Sequence, residues 1–390
     1  MALREQIDRI TKLAEADATG DVVAHRELLE EVHKLQLSIE TPFDTTARFR
    51  FQPLQNIVVL VALENGILPY VAKRNGETVT SSEIAKATSV DQLLPERLMR
   101  MNTWIGYADE VGENTYAAND TTKLVCTPGM TAGERHHTEL FYPIGANITS
   151  LMRTQGFHQF AEDGLKDPFE HAFGCTLWDF FAINEEHKTG FDLYMAARRP
   201  ASQKAWFEVY PAAQKLAEMP ALKEGGVVLV DVGGGHGHEV AGFKKAFPDI
   251  VGKMVLQDLP ATLESAKLPK GIETMVHDFF QPQPVKGARI YYLRQVMHDW
   301  MDSKCNTILQ YLVAAMDKNS RLLIDDYVMP VTGAEFRPIH MDIAMMLYCR
   351  AIERTRTQWA ALLESVGLEI VEVFTPENGF ESVIEAKLAA

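Results

Sequence analysis

The stretch VVLVDVGGGHGHEV, residues 227–240, runs six strand-favouring residues straight into three consecutive glycines. Gly233, Gly234 and Gly235 remove every Cβ from that turn, so a ligand can touch bare backbone. In a doubly wound sheet the first strand–helix turn is the usual nucleotide contact. The spacing is Gly233-x-Gly235-x-Gly237, and His238 stands where a dinucleotide fingerprint has its third glycine. That departure favours an uncharged or zwitterionic group over a diphosphate. Asp258 ends the next apolar run, KMVLQDL, 21 residues after Gly237. A carboxylate there can accept both hydroxyls of a ribose, and Leu259 follows it in the same turn. Asp278 and Phe279 end a third run, in HDFF. The acid can accept from an adenine amino group while the ring covers the base. Together these residues describe an adenosine site, and its ligand is read as S-adenosylmethionine.

Such a site needs a sheet to carry it. From residue 227 the strands VVLVDV, KMVLQDL, IETMVHDF, ARIYYLRQV and SRLLIDDYV alternate with helical stretches. That alternation, with apolar strands, predicts a parallel, doubly wound α/β sheet of the Rossmann-like kind. GLEIVEVFTP and GFESVIEAKLA read as a closing hairpin. Residues 1 to about 42 read as helical, TPFDTTARFRFQPL as an interruption, and QNIVVLVALENGILPYV as a second, buried helix. In residues 79–119, Ser81 or Ser82 is a cap candidate for a short helix starting at Glu83. A turn at Ser89–Asp91, a longer helix and a hairpin turning at Gly112–Asn114 complete a winged-helix outline. The expected organisation is a helical, winged-helix dimerisation domain over 1–125, a helical connection lining a substrate pocket over 126–215, and the cofactor-binding α/β domain over 216–390.

The chain has 390 residues, with 38 basic and 53 acidic side chains and a net charge of −15. Nucleic acid and anionic membrane surfaces are therefore not the expected partners, the winged helix notwithstanding. No run approaches the ~18 apolar residues of a membrane span. The N-terminal residues have no apolar signal core, so the expected location is the cytoplasm. Cys126, Cys175, Cys305 and Cys349 are scattered without a CxxC pair and read as free thiols, with no metal site.

At YYLRQVMHDWMDSKC the chain resembles the class I, plant caffeate-type small-molecule O-methyltransferases, which have many fungal and bacterial relatives. The resemblance covers nearly the whole chain. It runs through the winged-helix region, FDLYM, DVGGGHG, QDLP, HDFF, LRQVMHDW, and ERT at 353–355 followed by a Trp. It implies that His298 is the general base, with Asp299 next to it and two flanking acids, Asp326 and Glu353. It implies that Arg294 helps to hold the cofactor and that Phe191 and Met195 line the substrate pocket. It also implies an intertwined homodimer. The chemistry of the residues agrees. A neutral imidazole can take the proton of a phenol as the hydroxyl oxygen attacks a sulfonium methyl, contributing about 10²–10⁴-fold. A carboxylate beside it fixes the tautomer and stabilises the imidazolium that forms.

Two departures bear on function. Asp326 stands where the family has Glu, which draws the carboxylate back by about 1.5 Å, one C–C bond. MDIAMMLYCRAIERT lacks the glycine pair that plant members carry before the Glu. Tyr348 and Arg350 sit there instead, so the pocket around Met345 and Tyr348 is reshaped. His136 and His137, in GERHHTELFYPI, and Trp178 join the substrate-pocket candidates, and Arg198 and Arg199 are further hydrogen-bond donors. Some members of this fold keep the cofactor bound and promote dehydration or pericyclic ring closure, with an Arg and a His as electrostatic aids. Arg294 with His136 or His137 would make such a set. Methyl transfer to an aromatic or polyketide-like hydroxyl is the first reading, and a cofactor-assisted pericyclase or dehydratase the alternative.

Overall fold

The computed structural model describes residues 3–74, 76–156, 164–198, 203–377, 379 and 381–389. Its contacts divide the chain into two units, Met1–Asn147 with Trp178–Ala201, and Ile148–Leu177 with Ser202–Ala390. The segment expected as a connection is thus shared between them.

In the first unit, helices Leu3–Asp17 and Val22–Ile39 pack against each other, and Asp21 caps the second by accepting from the backbone N–H groups of Val23 and Ala24. The expected interruption after them is instead the start of a 23-residue helix, Pro42–Glu64. Thr41 and Asp44 close a capping box there and Pro42 occupies the first turn, where its missing N–H costs nothing. Pro53 is accommodated inside the helix. The chain breaks at Gly66, whose φ of 73° is left-handed, and continues as Ile67–Ala72. Thr80, not Ser81 or Ser82, caps the helix Ser81–Thr88, with Glu83 as its reciprocal partner. Leu93–Trp104 follows. This unit is not wholly helical. Strands β1 (Val79–Thr80), β2 (Asp109–Gly112) and β3 (Thr115–Ala117) form an antiparallel sheet in the order β1-β3-β2, with Asn114 in the left-handed region of the β2–β3 turn. Ile67, Leu68, Ile84, Met99 and Tyr116 are buried together in its core.

The second unit is built on a seven-stranded mixed sheet. Its strands are β4 (Val227–Val232), β5 (Lys253–Asp258), β6 (Ile272–Val276), β7 (Ile290–Arg294), β8 (Arg321–Asp326), β9 (Leu368–Phe374) and β10 (Ser382–Leu388). The order is β6-β5-β4-β7-β8-β10-β9. The first five are parallel, and β9–β10 is the expected hairpin, antiparallel to β8 through β10. The strand order reverses between β4 and β7, which opens a crevice at their carboxyl ends. Period-two alternation sends Val230, Val232, Leu293 and Ile324 to one core with Trp359. It sends Leu229, Leu256, Tyr292 and Leu323 to the other, with Trp206 and Phe243. Both faces of the central strands are covered.

Candidate active site

The glycine turn leaves β4 with Gly233, Gly235 and Gly237 all at positive φ, a backbone that side chains rarely adopt. Gly233 and Gly234 both donate to the Gln257 carbonyl. A Cβ on Gly234 would lie 2.4 Å from the Asp231 carboxyl carbon, whereas one on Gly235 would meet nothing within 4 Å. The turn is therefore tight against its own strand on one side and open on the other. Asp258 accepts from the Gly235 N–H at 2.8 Å and from the Leu259 N–H at 2.7 Å, which ties the turn to the end of β5. Leu259 is exposed. Asp278 is exposed and accepts from the Phe280 N–H, while Phe279 approaches Gly233.

Asp231 was not among the sequence candidates. It is buried in the strand that feeds the turn, and its Oδ2 has no hydrogen-bond partner. Burial, with Glu239 nearby, pushes its carboxyl up to about 8. An acid inside the apolar run VVLVDV was the signal that could have found it. Arg294 ends β7 among three carboxylates. Its guanidinium lies 3.4 Å from Asp325, 3.5 Å from Glu381 and 3.8 Å from Glu239. Burial lowers its proton affinity, but Asp325, Glu381 and Glu239 together raise it. Tyr292 donates to Asp325 at 2.6 Å. The crevice therefore carries more acid than base, which suits a cationic ligand.

His298 sits in a 3-10 turn, Met297–Asp299, just beyond β7. It is buried, with Nδ1 2.7 Å from Glu353 Oε1 and Nε2 3.6 Å from Asp299 Oδ1. The residues of the Glu353 contact are 55 apart in sequence and are joined only by the fold. Burial alone would lower the imidazole, but Glu353, Asp299 and Asp326 outweigh it and push His298 up to about 10. Asp326, at the end of β8, is fully buried and neither of its oxygens has a hydrogen-bond partner. Arg354, fully buried, donates to the carbonyls of Met297 and Trp300 and to Asp302, and so clamps the turn. Among the described residues, no group of three or more His, Cys, Asp or Glu could hold a metal ion.

The remaining candidates fall in both units. In the first, His136 and His137 lie in an aromatic cluster with Phe181, Phe191 and Tyr194. His137 Nε2 is 3.1 Å from the Tyr194 hydroxyl. Burial lowers His136 to about 3 and His137 to about 4, so both rings are neutral. Trp178 packs on Phe181, and Met195 is half-buried on the helix Glu185–Ala197. Arg199 lies outside the described residues. In the second unit, Met345 and Tyr348 are buried on the helix Phe336–Cys349, with Tyr348 against Phe169. Arg350 ends that helix in a left-handed conformation, φ 57°.

The sequence and the fold both have known counterparts. An O-methyltransferase domain model matches residues 156–369. Over 378 residues, 96% of each chain, the sequence is 32% identical to demethylsterigmatocystin 6-O-methyltransferase of Aspergillus parasiticus. Two solved structures, one described as a pericyclic reaction enzyme and one as LepI in complex with SAM, are similar with a TM-score of 0.90. Each is 27% identical, with 97% of both chains covered. This chain belongs to the S-adenosylmethionine-dependent O-methyltransferase family.

Proposed function

We propose that the chain methylates a hydroxyl of an aromatic or polyketide-like small molecule, with His298 as general base. The observation that carries this reading is the buried His298–Glu353 contact of 2.7 Å. With Nδ1–H donated to the carboxylate, Nε2 keeps its lone pair for the proton of the acceptor hydroxyl. Glu353 then stabilises the imidazolium formed. Asp299 lies 3.6 Å away on the Nε2 side, where it faces the imidazolium once the proton has been taken.

The crevice fits the cofactor. The open face at Gly235, the orphaned Asp231 oxygen and the surplus of carboxylates suit a ligand with bare edges and positive charge. Gly233, Gly234, Gly235, Asp258 and Leu259 would hold its ribose end, Asp278 and Phe279 its base, and the Arg294 cluster the end nearest β7. Bound there, S-adenosylmethionine supplies an electrophilic methyl group. His136, His137, Trp178, Phe191 and Met195 are assigned to substrate in the first unit, and Met345 and Tyr348 in the second.

A second reading keeps the cofactor intact and uses its charge to promote a pericyclic or dehydration step. It is favoured by the likeness to a pericyclic reaction enzyme and by the proton affinity of His298, which as imidazolium is a donor, not a base. One assay separates the two. The protein is incubated with methyl-labelled S-adenosylmethionine and a panel of phenols and pyridones, and label transfer is followed with S-adenosylhomocysteine. Label in product with stoichiometric S-adenosylhomocysteine supports methyl transfer; substrate turnover without either overturns it.

The helices Ser81–Thr88 and Leu93–Trp104 with the β2–β3 hairpin support a winged-helix module used for homodimerisation. The organisation into dimerisation region (1–125), pocket-lining connection (126–215) and cofactor domain (216–390) belongs to the same reading. Among the described residues no helix is long and apolar enough to cross a membrane. The four free thiols fit a cytoplasmic enzyme.

A further inference from the structure

Asp325 and Asp326 are neighbours on β8 and face opposite sides of the sheet. Asp325 is satisfied by Tyr292 and Arg294. Asp326 is not. It is fully buried, both oxygens lack a hydrogen-bond partner, and the second oxygen of Glu353 lacks one too. An ionised carboxylate in that setting has neither solvent nor donors, and the desolvation cost of such a group amounts to several kcal/mol.

The groups that face Asp326 define its choices. His298 and Asp299 come from the 3-10 turn, Glu353 from the segment before the helix Arg356–Glu364, Cys305 from the helix Asp302–Val313, and Asp325 from its own strand. His298 is the one cation of that set, and its Nδ1 is committed to Glu353. The Arg354 guanidinium, nearby in sequence, is spent on Met297, Trp300, Asp302 and the Cys305 sulfur. Three carboxylates thus surround one imidazole, and the one with no donor is the one least able to keep its charge.

We propose that Asp326 is a neutral carboxylic acid in the working enzyme, leaving Glu353 as the partner of His298 Nδ1. Burial and the neighbouring acids outweigh the opposing pull of His298 and raise its proton affinity well above the usual carboxylate range, in agreement with the geometry. As Asp326 stands, neither of its oxygens reaches a donor. The consequence concerns the base. An ionised Asp326 would add to the field that holds His298 as imidazolium. A neutral one removes its share and lets the imidazole lose its proton closer to neutrality. Asp326 is thus a positioning residue that tunes the base without taking the substrate proton.

This inference rests on His298 as the base for its consequence, but its first test does not. Infrared spectra of wild type labelled with [4-¹³C]aspartate are compared at neutral pH with those of Asp326→Asn. The expected result is an acid carbonyl band in wild type that the variant lacks; identical spectra in that region overturn the proposal. Asp326→Ser serves where Asn does not fold. The second test is the pH–rate profile of methyl transfer. Asp326→Asn is expected to keep the ascending limb where it is in wild type. Asp326→Glu, long enough to reach donors and ionise, is expected to move it up by about one pH unit, a tenfold change in proton affinity. A limb that falls by a unit in Asp326→Asn means that Asp326 was ionised, and overturns the proposal. A band that is present while no methyl transfer occurs would leave Asp326 neutral and sink only the methyltransferase reading.

Discussion

Arg354 donates through Nη1 to the carbonyl of Met297 at 3.0 Å, in the turn that carries His298. Nη2 takes the carbonyl of Trp300 at 2.8 Å, and the guanidinium lies over the Trp359 ring. One dipeptide therefore does two things: Glu353 orients the imidazole and Arg354 holds the backbone beneath it. The planar fork is what makes both carbonyl contacts possible, and a lysine ammonium cannot reproduce it. Arg354→Lys is expected to lower kcat at least tenfold with little change in substrate KM, because the base is displaced and not the pocket. Its melting temperature should fall as well, since a buried carbonyl left without a donor costs about 1–3 kcal/mol. Wild-type kcat in this variant would remove Arg354 from any positioning role.

With His298 as the proposed base, its protonation would link methyl transfer to pH. Its proton affinity is raised from an ordinary 6.5 to about 10 in the folded protein. The stability this contributes is complete below pH ~6.5 and is lost as pH rises through the raised folded value, which lies below about 10 once Asp326 is neutral. Chemical denaturation across that window should show wild type losing stability with pH, and His298→Ala should show less of the loss. Methyl transfer should run the opposite way, rising with pH as the imidazole becomes neutral, and His298→Ala should abolish it while cofactor affinity changes little. Full activity in the variant would put the base elsewhere.

Much of this was readable before the fold was known, and the limits are physical. The end of an apolar run located Asp258, because a buried strand needs apolar residues and stops where they stop; Asp278 lies two residues beyond the largely exposed edge strand β6. The glycine turn was legible for the same reason. The His298–Glu353 pairing was not, since nothing local links residues 55 apart, and only the resemblance brought them together. Asp231, Glu239 and Glu381 were missed because an acid in a strand or at a helix start looks like a solvated charge until its neighbours are known. The helix Pro42–Glu64 was misread although Thr41, Pro42 and Asp44 signalled its start. Its exposed Phe43, Phe49 and Phe51 broke the amphipathic pattern expected of a helix in a monomer.

The glycine turn makes a sharper prediction than its composition alone. At Gly234 a methyl group would sit 2.4 Å from the Asp231 carboxyl carbon and 2.6 Å from each of its oxygens. Asp231 is buried in a central strand and cannot retreat without moving β4. Gly234→Ala should therefore abolish measurable binding of S-adenosylhomocysteine by calorimetry, even if the protein folds. Asp258→Ala acts at the other end of the turn. It frees the Gly235 N–H and removes the proposed ribose acceptor, and should weaken binding by about 1.5–3 kcal/mol, the range for hydrogen bonds to a charged group. Unchanged affinity in Asp258→Ala would take that carboxylate out of the cofactor site.

The exposed aromatic side chains that obscured that helix have a use. Phe43 is 75% exposed, Ile39 63% and Leu29 60%, and Phe49 and Phe51 lie in the same helical region. Several large apolar side chains exposed along one stretch of chain are uncommon on a monomer's surface and mark an interaction site. At about 25 cal/mol per Å² of apolar surface removed from water, covering several such side chains supplies a substantial driving force for association. A second copy of the chain is the partner expected from the family likeness. Light scattering should give a dimer for wild type. Phe43→Asp with Phe51→Asp should shift it to monomer, because each aspartate would have to be desolvated in the interface. A wild-type monomer at micromolar concentration would remove the dimer from the reading and leave these exposed apolar side chains to a different partner.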